Sequence, residues 1–363
     1  MTAPNRLIVT HALPYANGPI HLGHLLESIQ TDIWVRFQRL KGREVAFICA
    51  DDAHGTAIML KAEQMGIDPE TLISQIQPQH YRDLTAFGVS FDHYGTTHDP
   101  TNEKLCGSLY QALKGSELLG ETSSTQLYDE SRQMFLADRM VKGQCPICST
   151  EDQYGDVCEK CGSTYDAVQL INPVSNLTQT RPSVREASNL CFNLHLMQPE
   201  LTSWLKQADI QPAVQSKLNE WLDQDLKPWT ISRPAPYFGF RVPESPDRYF
   251  YVWVDAPLGY ISSLDNWLKK NEQKEQSWQD WWHEDTEVCH FIGKDIIYFH
   301  TLFWPAMLMA LKLKLPDRVH VHGFLTVNGS KMSKSRGTLV EARKYLDLLP
   351  PDALRYYLAA RLG

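Results

Sequence analysis

The 363-residue sequence predicts an α/β fold, a doubly wound parallel sheet interrupted by an inserted segment. Three observations lead there. A strand–helix–strand pattern runs to about residue 115, and strand-like segments return near Tyr249 and Val288. Between them lie two closely spaced cysteine pairs, the Pro-containing stretch from Ile171 to Pro182 and an apolar-periodic helix from Val214 to Leu222, which together read as an insertion splitting the sheet.

Leu7-Ile8-Val9-Thr10 reads as a buried strand and Ala16-Asn17-Gly18-Pro19 as a turn. A helix begins near His21, because Leu26, Ile29, Ile33, Phe37 and Leu40 recur at three- and four-residue spacing before a stop at Lys41-Gly42. Glu44 to Ala50 is the next strand. Such a unit points its helix N-terminus outside the carboxyl ends of the strands, where open parallel sheets bind nucleotides. Unpaired N–H groups and about half a positive charge gather there, so a phosphate is attracted. His21 and His24 share one face of the first turn and add donors, and Gly23 leaves room for a purine ring. A zinc-binding pair and two capping histidines are the alternatives.

Further on, Ile296, His300, Phe303 and Met307 fall on one helical face. The longest apolar stretch, Phe299 to Leu311, is too short to cross a bilayer and reads as a buried helix. Asp317 to Leu325 alternates as a strand, and Asn328-Gly329-Ser330 opens a turn that presents Lys331 and Lys334. Flanking glycines suit a loop that closes over a ligand, and two ammonium groups there can neutralise charge on a leaving pyrophosphate. A solvated basic turn is the alternative. Pro351 to Leu362 reads as a helix. Neither Gly-x-Gly-x-x-Gly nor a P-loop string occurs.

Of eight cysteines, Cys49, Cys106, Cys191 and Cys289 are scattered. Cys145-Pro-Ile-Cys148 and Cys158-Glu-Lys-Cys161 form two knuckles nine residues apart, a spacing that fits a closed tetrahedral Zn²⁺ site with a folding role. A disulfide pair is the alternative. No signal peptide is read at the N-terminus, so a reducing, cytoplasmic compartment is expected, which disfavours disulfides. A hydrophobic content of 43% with 21% charged residues is that of a soluble globular protein without membrane spans. The net charge of −8 argues against nonspecific nucleic-acid binding, although a local basic surface can still serve on an acidic body.

His21-Leu22-Gly23-His24 and Lys331-Met332-Ser333-Lys334-Ser335 together resemble the signature pair of class I aminoacyl-tRNA synthetases. The strings His11-Ala12-Leu13-Pro14-Tyr15-Ala16-Asn17-Gly18, Cys49-Ala50-Asp51-Asp52-Ala53-His54-Gly55-Thr56, Tyr251-Val252-Trp253-Val254-Asp255-Ala256-Pro257 and Phe291-Ile292-Gly293-Lys294-Asp295 resemble the methionyl-tRNA synthetase family, over essentially the whole chain. The resemblance implies a Rossmann-like sheet and activation of methionine by ATP, followed by transfer to the acceptor end of tRNA. It places Leu13, Tyr15, Asp52, Arg233, Trp253, Pro257, Tyr260, Ile296 and His300 at methionine. It places Asn17, Gly23, Glu27, Gly293, Asp295 and His322 at ATP, with His21, His24, Lys331 and Lys334 as the catalytic set. The residue types suit a thioether with aromatic neighbours and an ammonium beside Asp52. Mg²⁺ is expected with ATP, its ligands unassigned.

The implied organisation is a nucleotide-binding half over 1–115, a connective insertion with the zinc ribbon over 116–230, a second catalytic half over 231–325, and the signature loop with the start of a stem-contact segment over 326–363. His11 stands where the family pattern leads one to expect a small residue, and Leu190-Cys191-Phe192 replaces a more aromatic run. The helical bundle that reads the anticodon in the family does not follow within the 363 residues. A piece of a longer enzyme, a short paralogue that passes the aminoacyl group to a non-tRNA acceptor, and a non-catalytic binding relative are the readings left open.

Overall fold

The computed structural model describes residues 5–137, 140–156, 158, 160–163, 165–271, 276–327, 330–331 and 339–360, with backbone only at 326–327 and 330–331. The chain opens with β1 (Arg6–His11), α1 (Leu22–Leu40) and β2 (Glu44–Asp51). There follow α2 (Thr56–Met65), α3 (Pro69–Ala86), β3 (His93–Thr96) and α4 (Pro100–Lys114). β1 and β2 are apolar and buried along nearly their whole length, as a parallel strand covered on both faces must be.

Six parallel strands run in the order Asp209–Ile210, Arg318–His322, Thr286–Gly293, β1, β2, β3. The chain builds outward from β1 on one side and later fills the other. The switch point therefore lies between the carboxyl ends of β1 and Thr286–Gly293, where a crevice opens. The doubly wound α/β expectation is met, with corrections in detail. The strand near Tyr249, Ser245–Phe250, belongs to a separate antiparallel sheet with Ser232–Pro234 and Arg241–Val242. Only the strand around Val288 resumes the parallel sheet. The strand expected over Asp317 to Leu325 stops at His322, and Thr326–Val327 then pairs antiparallel with Ser330–Lys331.

The apolar stripe of α1 is buried at Leu26 and Ile29 but 54% exposed at Phe37 and 86% at Leu40. The apolar run from Phe299 is not one α-helix. A 3₁₀ turn (Lys294–Ile296) and a π turn (Phe299–Phe303) precede the α-helix Trp304–Ala310, which breaks the simple stripe expected of Ile296, His300, Phe303 and Met307.

The inserted segment is built on a long ladder between β4 (Leu119–Asp129) and Ser183–Phe192. Beyond it, Gln153–Tyr154, Val141–Gln144 and Ile171–Ser175 form the three-stranded ribbon that carries the cysteine pairs. The ribbon has its own small core around Met134, Leu136, Val141 and Leu170, onto which Met59 and Leu60 of α2 pack. The C-terminal helix Pro351–Ala359 packs on α1, with Arg355 paired to buried Asp32 at 2.6 Å. Among the described residues no helix is long and apolar enough to cross a membrane.

Candidate active site

A cavity of about 540 Å³ opens at the switch point, between the start of α1 and the helix Val252–Lys270. It gathers most of the residues singled out in the sequence. Leu13, Tyr15, Asp52, Trp253, Pro257, Tyr260, Ile296 and His300 line it, as do His21, Gly23, His24, Glu27, Gly293, Asp295 and His322. Asn17 does not line it, remaining half-buried in the turn before α1. Nor does Arg233, whose guanidinium stacks 3.7 Å over the Tyr251 ring and donates to the Ser232 carbonyl. Lys331 sits on the two-residue ladder, and Lys334 lies outside the described residues.

His21 is the N-cap of α1. Its Nδ1 accepts the Gly23 N–H at 3.1 Å, and His24 Nδ1 accepts the His21 N–H at 3.4 Å. A nitrogen that accepts carries no proton, so each neutral ring keeps its proton on Nε2, a donor. The rings stack 3.7 Å apart. Capping the helix and presenting an Nε2 donor are thus compatible in the same two residues.

Tyr15 and Asp52, just past the carboxyl ends of β1 and β2, are joined by an isolated parallel bridge that sets them side by side. Asp52 is buried and its Oδ1 has no partner among the described residues. Burial, then the neighbouring Asp255 and Asp51 carboxylates, push its carboxyl well above the usual range. A buried carboxylate in that setting is stabilised by a cation supplied from outside.

Trp253 stacks face to face on Phe299 at 3.9 Å. His300 Nδ1 lies 3.2 Å from the Ile296 carbonyl and donates to it, leaving Nε2 to accept the Tyr260 hydroxyl at 2.9 Å. Burial lowers the His300 pKa to about 4, so the ring stays neutral. The helix bearing Tyr260 approaches closely at Gly259, where a Cβ would meet Thr97 Cγ2 at 2.8 Å.

Glu27 is held between two imidazoles: Oε2 lies 2.9 Å from His322 Nε2 and Oε1 lies 3.3 Å from His11 Nδ1. Burial raises the Glu27 carboxyl, but the hydrogen bonds from His11 and His322 outweigh it and hold the group below its usual range. Burial also opposes charge on His11, yet Cys49 and Glu27 lift its pKa to about 10. A Cβ at Gly293 would fall 2.6 Å from Asp295 Oδ1, so glycine is what lets that carboxylate lie over the strand end.

His11, Ala12, Val252, Ala256, Phe299, Phe324 and Leu339 also line the cavity and were not assigned from the sequence. Phe299 lay within a recognised apolar run, but the π turn that rotates it toward Trp253 has no sequence signal. Leu339 arrives because Leu22 N–H donates to the Val340 carbonyl at 3.0 Å, anchoring that segment to the first turn of α1.

The four sulfurs of Cys145, Cys148, Cys158 and Cys161 lie within 4.8 Å of one another. Cross-knuckle contacts are 3.8 Å for Cys145–Cys161 and 3.6 Å for Cys148–Cys158. Tetrahedral Zn–S bonds of about 2.3 Å require S···S distances of about 3.8 Å, so the donor set fits the ion. The knuckles repeat one bonding pattern: Ser149 and Gly162 have positive φ and donate N–H to the carbonyls of Cys145 and Cys158, each at 2.9 Å. Among the described residues no other group of three or more potential ligands converges, and His21 and His24 belong to none.

Residues 7–363 match the family model described as tRNA synthetases class I (M). The chain belongs to that family. Its fold is similar to that of Mycobacterium tuberculosis methionyl-tRNA synthetase in complex with methionyl-adenylate, with 27% identity, a TM-score of 0.75, 97% of this chain covered and 64% of that one. A second structure of the same enzyme bound by methionyl-adenylate gives 26%, 0.74, 97% and 64%. The chain thus spans 64% of the length of the solved relatives it matches.

Proposed function

We propose that this class I tRNA synthetase activates methionine with ATP and transfers the methionyl group to the acceptor end of a tRNA. The observation that carries the reading is the buried Asp52 carboxylate, whose Oδ1 has no partner among the described residues, in an aromatic-lined cavity that the histidine-capped start of α1 also lines. An α-amino acid suits that polarity. Its ammonium pairs with Asp52, its thioether lies among Tyr15, Trp253, Pro257, Tyr260 and His300, and its carboxylate faces the α-phosphorus. Leu13 and Ile296 complete the apolar lining, and Arg233 and Asn17 act from outside it.

The carboxylate oxygen attacks the α-phosphorus, the bond to the β-phosphate breaks, and pyrophosphate leaves with the electron pair. A carboxylate is ionised at neutral pH, so no general base is required. Catalysis comes from positioning and charge stabilisation. His21 and His24 donate to the phosphates at the α1 start, Gly23 leaves space for the purine, and Glu27, Gly293, Asp295 and His322 frame the nucleoside. Lys331 and Lys334 neutralise the departing pyrophosphate. Mg²⁺ accompanies ATP. Zn²⁺, held by Cys145, Cys148, Cys158 and Cys161, stabilises the ribbon. The insertion over 116–230 orients the acceptor end, between catalytic halves over 1–115 and 231–325, and 326–363 leads from the signature loop towards the tRNA stem. The working compartment is the cytoplasm.

Methionine-dependent exchange of pyrophosphate into ATP tests activation, and charging of tRNA by the same sample tests transfer. Exchange and charging together are the expected result. Exchange without charging moves the acceptor elsewhere, and absence of both sinks the reading.

A further inference from the structure

His11 closes β1, Glu27 projects from the second turn of α1, and His322 ends the strand two places away in the sheet. The Glu27 carboxylate joins the two histidines. His11 Nδ1 lies 2.8 Å from the Ala12 carbonyl, 3.3 Å from Glu27 Oε1 and 3.7 Å from the Cys49 sulfur, so its nearest neighbours are two oxygen acceptors and it carries a proton towards them. The second Glu27 oxygen takes the His322 Nε2–H at 2.9 Å, and His322 Nδ1 in turn lies 2.8 Å from the Gly323 carbonyl. His11 is 1% and Glu27 7% exposed, so neither can exchange its partner for bulk water. Phe47 and Phe91, with ring centroids 6.0 and 5.5 Å from that of His11, hold the imidazole in place.

We propose that His11 is a positioning residue for the adenine nucleotide: through Glu27 it sets His322 and the Gly323 backbone against α1 before the nucleotide enters. The inference rests on the cavity being the ATP site. A carboxylate with two partners has one orientation. With one partner it can rotate, and its buried free oxygen is left uncompensated. Removing the His11 donor therefore loosens the wall that receives the nucleoside, while the methionine end, built on Asp52, Trp253 and Tyr260, is untouched.

Three variants separate a donor from a space-filler. In His11→Asn the amide nitrogen occupies the place of Nδ1 and still donates; His11→Leu keeps comparable bulk without a donor; His11→Ala keeps neither. In pyrophosphate exchange, His11→Leu and His11→Ala should raise KM for ATP about tenfold, the loss of one hydrogen bond to a charged group. Turnover and KM for methionine should stay within about twofold, and His11→Asn should recover most of the ATP affinity. Equal behaviour of His11→Leu and His11→Asn, or an unchanged KM for ATP in His11→Ala, overturns the proposal. Equilibrium dialysis of ATP without methionine gives the same ranking independently of turnover. Wild-type protein that binds ATP with this ranking but supports no exchange removes the proposed activity and leaves the positioning role standing. Equal ATP binding by all four proteins removes the positioning role alone, and wild-type protein that binds no ATP removes both.

Discussion

The cavity and the cysteine ribbon both gather side chains from separate segments towards one point, but they are assembled on opposite principles. The ribbon draws its four sulfurs from residues 145–161, and two similar knuckle turns aim them without help from the rest of the molecule. The cavity draws on residues from His11 to Leu339, brought together only when six parallel strands are in register. The comparison teaches that a short-range site tolerates change elsewhere, whereas a long-range one reports on the packing of the whole sheet. The ribbon packs its own small core, so its loss should be felt locally.

The sharpest test of that contrast is at the α1 start. His24→Ala should cut the turnover of pyrophosphate exchange by roughly 10²–10³-fold, the cost of losing a preorganised donor to developing charge. KM for methionine should barely move. A matching rise in KM for methionine would mean that the two ends of the cavity are not separable. Next in size, Asp52→Asn should raise KM for methionine by about 10- to 100-fold through loss of the charge-assisted pair. Steady-state kinetics at saturating ATP measures it, and an unchanged KM removes Asp52 from the ammonium site.

Selectivity should show a smaller effect. Norleucine replaces sulfur by methylene and should be discriminated by only ~1–3 kcal/mol, whereas β-branched isoleucine should be rejected further by shape. Isoleucine supporting exchange as well as norleucine would contradict the pocket. Smaller still is the effect of the ribbon on the cavity: Cys145→Ala, or removal of the ion by a chelator, should abolish the expected single zinc by elemental analysis and open the ribbon to protease. Exchange should fall by less than about threefold, because the sulfurs touch no part of the cavity. A collapse of exchange would show that the two regions are coupled.

The smallest effect concerns pH. Hydrogen bonds from His11 and His322 overcome burial and hold the Glu27 carboxyl below its ordinary 4.5, so its stabilisation is present above that pH and is lost as pH falls through the lowered value. For His322, burial is outweighed by Glu27 and the pKa lies above the ordinary 6.5, so its stabilisation is complete below 6.5 and is lost as pH rises through the raised value. The pair contributes most between about 4.5 and 6.5. The urea midpoint of the wild type should therefore exceed that of His322→Gln by most near pH 5.5, the gap narrowing by pH 9. A gap that widens with pH would reverse the assignment of charge.

The legibility of each region follows the same division. The strand–helix–strand pattern read β1, α1 and β2 to within a residue or two, because a continuous apolar run and a three- to four-residue apolar spacing are local patterns. The strand near Tyr249 was misassigned to the parallel sheet, because six residues of extended chain carry no mark of which neighbour they will pair with. Asp52 and Tyr15 were reached through resemblance to a family rather than through spacing, since nothing in residues 15–52 announces the bridge that sets them side by side.

By itself the sequence determined the four-cysteine site, the capped start of α1 and the order of the principal elements, because turn chemistry, helix caps and hydrophobic period act over a few residues. Tertiary structure alone decided that His11 and His322, 311 positions apart, share one carboxylate. It also decided that a π turn puts Phe299 flat against Trp253 and that the segment at Leu339 returns to the mouth of the cavity. Those contacts depend on which strand lies beside which, and pairing energies between distant strands are summed only in the folded sheet.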